Sequence, residues 1–187
     1  MKRHLTAVIV ATLLASTPAL AAEHEGWFVD GLLGMGQVND NGIDDSDYAA
    51  NINLGYRWGM FGVEGGYVDF GSFKDTTSFP APIGDIKTDL DVDGWKLGLN
   101  LNANINDNWS VMAHGGAFFW NADAHIAQNG VRFATSGDAT DWYAGVGIDY
   151  NFNPNFGLGL GYDYYKLSDG PLDTGINTIG LRGEVRF

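Results

Sequence analysis

The end of the chain alternates strictly by twos. Counting back from Phe187 puts Val185, Gly183, Leu181 and Ile179 on one face, and Arg186, Glu184, Arg182, Gly180 and Thr178 on the other. A repeat of two is the side-chain period of a β-strand, and an apolar face opposite a charged one means that the strand divides two surroundings. Seven earlier stretches repeat the pattern, over residues 27–37, 48–58, 61–69, 89–103, 109–120, 141–152 and 156–165. The second is the cleanest: Tyr48, Ala50, Ile52, Leu54, Tyr56 and Trp58 oppose Ala49, Asn51, Asn53, Gly55 and Arg57. The fold class expected is all-β, an eight-stranded antiparallel up-and-down barrel.

The start of the chain suggests where such a barrel would sit. Met1-Lys2-Arg3-His4 is basic, Ala7 to Ala15 is apolar, and Ala19-Leu20-Ala21 is a small-x-small site. This reads as a secretory signal peptide, residues 1–21, cut after Ala21, which leaves 22–187 as one domain. No later segment has the roughly 20 continuous apolar residues of a membrane helix. Strands in lipid must close on themselves, because an open edge leaves backbone groups unpaired.

The connections alternate in length. Polar loops over 39–47, 71–88, 121–140 and 166–176 are separated by tight turns at Gly59-Met60, Asn104–Asn108 and Asn153–Asn155. Loops on one side and turns on the other suit a transmembrane barrel with both termini in the periplasm. The alternative is a soluble ligand-binding barrel, whose apolar face would point inward. Trp and Tyr at the ends of the apolar stripes favour lipid outside. There are no cysteines, so no disulfide framework holds the chain. The net charge of −13 argues against nucleic acid, which needs a cationic surface.

On this reading the polar faces line the lumen. Asp30, Arg57, Glu64, Lys96, Asn100, His114, Asp149, Asp163, Arg182 and Glu184 would form an interior polar network. Eight strands enclose a lumen only wide enough for side chains, so these groups should pair or meet water. The network is read first as filling and second as a narrow ion path. His114 shares its face with Ser110, but no Ser-His-acid set is apparent, so no catalytic residues, cofactor or metal are expected. The acidic loop residues Asp40, Asp44, Asp45 and Asp47 lack the spacing of a calcium loop and read as solvated.

Three stretches carry a resemblance: Gly55 to Asp69, Asn106 to Trp120, and Tyr143 to Asn155. They resemble the transmembrane domain of outer membrane protein A, within the superfamily of small outer-membrane barrels. The resemblance implies a Gram-negative outer-membrane location, lipid and lipopolysaccharide as surroundings, and insertion by the barrel-assembly machinery with Phe187 as the terminal signal. It also implies a non-enzymatic role in envelope integrity and adhesion, with a host-surface or phage ligand at four extracellular loops of a monomer. Members that conduct ions weakly use interior salt bridges of two acids and two bases. Glu64 and Asp149 occupy the acid positions, but Asn100 and Gly159 stand where the bases would be. Arg57, Lys96, His114, Arg182 and Arg186 could supply substitute cations on that face. The periplasmic peptidoglycan-binding domain that follows the family's barrel is not expected after Phe187.

Expressed with its own leader, the protein should fractionate with the outer membrane and migrate differently in unheated and heated gel samples. Recovery in the soluble periplasm would reverse the assignment of inside and outside.

Overall fold

A computed structural model describes residues 25–38, 46–79, 84–128, 131–169 and 172–187. Eight strands follow in order: β1 (Gly26–Val38), β2 (Ser46–Trp58), β3 (Phe61–Phe79), β4 (Gly84–Asn104), β5 (Trp109–Gln128), β6 (Val131–Asn153), β7 (Phe156–Asp169) and β8 (Leu172–Arg186). Each pairs antiparallel with the next, and β8 returns to β1, so the sheet closes as a barrel. The turns at one end are fixed locally. Gly59 takes φ 63°, which a residue without a Cβ adopts freely. Asn106 Oδ1 accepts from the backbone N–H groups of Asn108 and Trp109 at 3.0 Å, and Asn153 Oδ1 accepts from that of Asn155 at 2.9 Å. A side-chain oxygen that bonds the backbone two residues on stands in for part of a turn.

The direction of the faces is decided in β4. Trp95, Leu97 and Leu99 are 64%, 61% and 66% exposed, while Lys96 between them is 2% exposed. The same holds around the barrel, where Leu33, Ile52, Leu54, Val146, Leu160 and Leu181 are all exposed. A continuous apolar belt of this extent is at home in lipid, not in water. The soluble ligand-binding barrel, which needs the opposite orientation, is therefore excluded. Aromatic rings edge the belt: Trp27 with Tyr56 and Trp109 with Tyr150 at the turn end, Tyr67 with Trp95 and Trp142 with Tyr164 at the other.

The loops differ from the sequence expectation. Residues 71–79 and 84–88 are strand, as are 121–128 and 131–140, and the segment read as a loop over 166–176 is largely the ends of β7 and β8. Pro80 and Pro82 lie outside the described residues, as do the loop acids Asp40, Asp44 and Asp45. The ladders run on past the lipid, where the outer face meets water and the apolar-polar contrast that marks a strand fades. A bulge adds to the difference: the β3–β4 register shifts between Asp69 and Ser72, and Gly71 sits at φ 66°. The extra residue breaks the count by twos.

These extensions are uneven. The β2–β3 ladder ends at Ala50–Asp69 and the β6–β7 ladder ends at Tyr143–Tyr165. Above that level the β3–β4, β4–β5 and β5–β6 ladders continue to Phe79–Gly84, Ile86–Gln128 and Gln128–Val131. A four-stranded sheet thus stands above one side of the barrel mouth.

The closing seam depends on two glycines facing each other, Gly34 and Gly180. A Cβ on Gly34 would lie 2.1 Å from the Ile179 carbonyl oxygen, and one on Gly180 would lie 2.4 Å from that of Leu33. Both contacts are with backbone, which has no rotamer to yield. Gly34→Ala should destabilise the barrel by about 1–3 kcal/mol, the usual cost of overpacking. Gly65→Ala, whose nearest neighbour would be 3.7 Å away, should be close to neutral. Urea unfolding followed by the heat-dependent gel shift separates the two.

Candidate functional site

Inward positions of the lipid-spanning strands hold a layered interior. Nearest the turns, Glu184 gathers three arginines. It accepts from Arg57 at 3.0 and 3.1 Å, from Arg182 at 2.8 Å and from Arg186 at 2.5 Å. Arg57 also donates to Asn100 Oδ1 at 2.8 Å and lies 4.3 Å from the centroid of the Phe28 ring. Arg182 reaches Asp149 as well, and its guanidinium lies 3.6 Å from Asp30 Oδ2. Asn53 donates to Asp30 Oδ1 at 2.8 Å. These charges are almost wholly buried, and mutual pairing is what makes that tolerable.

One layer higher, His114 lies between Glu64 and Asp163, at 2.7 and 2.9 Å. Asn100 and Tyr143 donate to Glu64, while Asn51 and Tyr165 donate to Asp163. Lys96 has no carboxylate within salt-bridge distance among the described residues. Its ammonium lies over the Tyr143 ring at 4.9 Å, a cation–π contact. Ser110 is not near the His114 pair, and its hydroxyl accepts from Asn151 at 3.2 Å.

The top layer is apolar. Phe70, Phe118 and Tyr165 pack edge to face at 4.9 to 6.1 Å, and Tyr143 stacks on Tyr165 at 5.9 Å. Val38, Val68, Val92, Trp120, Leu167 and Ile176 surround them, all buried. The count by twos sets Val68, Phe118, Trp120, Tyr143 and Tyr165 on inward faces but does not bring them together as a plug. It ends the third strand at Asp69, one residue before Phe70, and places Leu167 and Ile176 in a loop.

Outside, above the Tyr67–Trp95 contact, the surface turns acidic. Asp69 stands opposite Asp93, and Asp91 opposite Asp123. Tyr67 donates to Asp93 at 2.7 Å. On the far side Lys166 pairs with Asp173, and the hydrogen bond to that carboxylate raises its pKa above the ordinary lysine value.

Glu184 is the group on which most buried charge depends. Glu184→Ala would leave Arg57 and Arg186 without a carboxylate partner among the described residues and take one of three from Arg182, and breaking a buried pair from one side typically costs about 3–5 kcal/mol. The urea midpoint of that variant should fall accordingly. Lys166→Ala breaks an exposed pair, and its midpoint should not move.

Proteins of known structure share this architecture at low identity. Ail, the attachment invasion locus protein of Yersinia pestis, is 21% identical, with 88% of this chain and 100% of that chain covered and a TM-score of 0.58. Ail has also been solved with the heparin analogue sucrose octasulfate. Neisserial surface protein A is 17% identical over 87% and 97% of the two chains, at a TM-score of 0.55. OprG from Pseudomonas aeruginosa is 16% identical over 89% and 99%, at 0.54. No curated protein matches the chain. The outer membrane protein beta-barrel domain model matches residues 7–187. With its lipid-facing belt, its closed sheet and that match, the chain belongs to the outer membrane protein beta-barrel domain family and is a protein of the Gram-negative outer membrane.

Proposed function

We propose that the protein is a non-enzymatic, non-conducting anchor whose work is done at the cell surface by its long hairpins. The observation that carries this reading is the contrast between its two halves. The lumen is filled from the Glu184 cluster to the aromatic plug, while the sheet built by β3 to β6 projects beyond the membrane, further among the described residues than the β7–β8 hairpin, which turns after Asp169. A filled lumen supports stability rather than transport. A projecting hairpin sheet offers backbone and side chains to a partner.

The mature chain would be residues 22–187, released after Ala21. It would work as a monomer among lipid and lipopolysaccharide, with Phe187 read by the barrel-assembly machinery. Its ligand would be a host-surface or phage component of neutral or basic character. The net charge of −13 and the outward acids Asp69, Asp91, Asp93 and Asp123 support that choice, since like charge repels on approach. A sulfated glycan of the kind bound to Ail would meet an unfavourable field here.

Two experiments test the reading. In planar bilayers the purified barrel should show no repeatable open level, and a stable conductance step would favour the narrow channel instead. Shortening the β5–β6 hairpin to a turn just beyond Asp123 and Ser136 should abolish binding of cells to a surface they otherwise hold, while the heat-dependent gel shift persists. Unchanged binding by that variant would remove the hairpin from the function.

A further inference from the structure

One lumen group is held in a way that fixes its proton count. His114 Nδ1 lies 2.7 Å from Glu64 Oε1, and Nε2 lies 2.9 Å from Asp163 Oδ1. A neutral imidazole has one N–H donor and one acceptor, and an ionised carboxylate only accepts. A neutral ring would therefore set a lone pair against a carboxylate oxygen at hydrogen-bond distance. The carboxylates are placed as acceptors throughout. Glu64 accepts from Asn100 at 2.8 Å and from Tyr143 at 3.0 Å. Asp163 Oδ2 accepts from Asn51 at 3.0 Å and from Tyr165 at 3.2 Å.

The charged surroundings agree. The buried ionisable groups include five carboxylates (Asp30, Glu64, Asp149, Asp163 and Glu184) against four arginine and lysine side chains (Arg57, Lys96, Arg182 and Arg186). A protonated His114 brings the two signs to equal number among the described buried groups. Each neighbouring strand contributes to the setting: β4 the ammonium of Lys96, β6 the Tyr143 hydroxyl, β7 the Tyr165 hydroxyl, and β2 the amide of Asn51. Asp30 of β1 and Arg182 of β8 lie in the layer below. Gly145 leaves the space. A Cβ there would come 2.1 Å from Asp163 Oδ1 and 2.4 Å from His114 Nε2.

We propose that His114 is carried as an imidazolium and acts as a proton-dependent brace across the lumen, tying together β3, β5 and β7, strands that do not pair with one another. The brace is complete while both ring nitrogens carry protons. As pH rises and one proton leaves, the contact to Glu64 or to Asp163 turns repulsive and the barrel loses a cross-link. Its stabilisation is present on the acid side of that titration and lost on the alkaline side. The device lies inside the barrel and is independent of any surface ligand.

The test is nitrogen NMR of the folded, histidine-labelled protein in lipid at pH 7, with His24 and His125 assigned by their own variants. Both ring nitrogens of His114 should bear protons, and one unprotonated nitrogen at pH 7 would overturn the proposal. In Asp163→Asn one carboxylate becomes an amide, and the pH at which the ring loses its second proton should fall by about 1–3 units; an unchanged titration would also overturn it. The wild-type unfolding midpoint should decline toward alkaline pH more steeply than that of Asp163→Asn. Parallel slopes would mean that His114 fills space and no more.

Discussion

Everything in this molecule follows from the demand that backbone N–H and C=O groups inside a bilayer find partners without water. A sheet meets that demand only by returning to its first strand, and the β1–β8 ladder from Phe28–Arg186 to Val38–Ile176 makes the return. Closure then imposes the rest. It sends alternate side chains to lipid and to the lumen, so the apolar stripes lie outside. It also makes the lumen narrow, so whatever points inward must fit and pair. Gly34 and Gly180 belong to the same requirement, because the two strands approach too closely there for a Cβ.

The lumen meets the second demand in two chemical styles. Near the turns, buried charge is distributed so that one carboxylate, Glu184, serves three guanidiniums, and Arg182 links it to Asp30 and Asp149. Near the outer mouth the strands leave the membrane, and rings replace charges: Phe70, Phe118, Tyr143 and Tyr165 close the interior by packing. Lys96 sits at the junction, its ammonium against the rings. The interior is thus closed by salt bridges below and aromatics above, and the proposed role of the hairpins rests on that closure.

Legibility in the sequence varied with the solvent on each side of a strand. In β2, lipid faces one side and the polar lumen the other, and the alternation from Tyr48 to Trp58 is plain. In residues 71–79 and 121–128 the same backbone ladder has water outside, the contrast vanishes, and the segments read as loops. Parity places Glu64, His114 and Asp163 on inward faces, but says nothing of their meeting. They come from β3, β5 and β7, brought to one level by register and by the curvature of the closed sheet. Asn100 stands where the resemblance expected a base, and the structure gives it a bridging place between Arg57 and Glu64.

The sequence by itself determined the strand count across the membrane, which face of each strand meets lipid, and the alternation of tight turns with long connections, because these depend on local periodicity and on turn residues such as Gly59, Asn106 and Asn153. Tertiary structure alone decided how far each ladder runs beyond the membrane, where the aromatic plug sits, and which buried charges share a partner. Those outcomes depend on register between strands distant in the chain and on the radius of the closed sheet, and neither is encoded in a period of two.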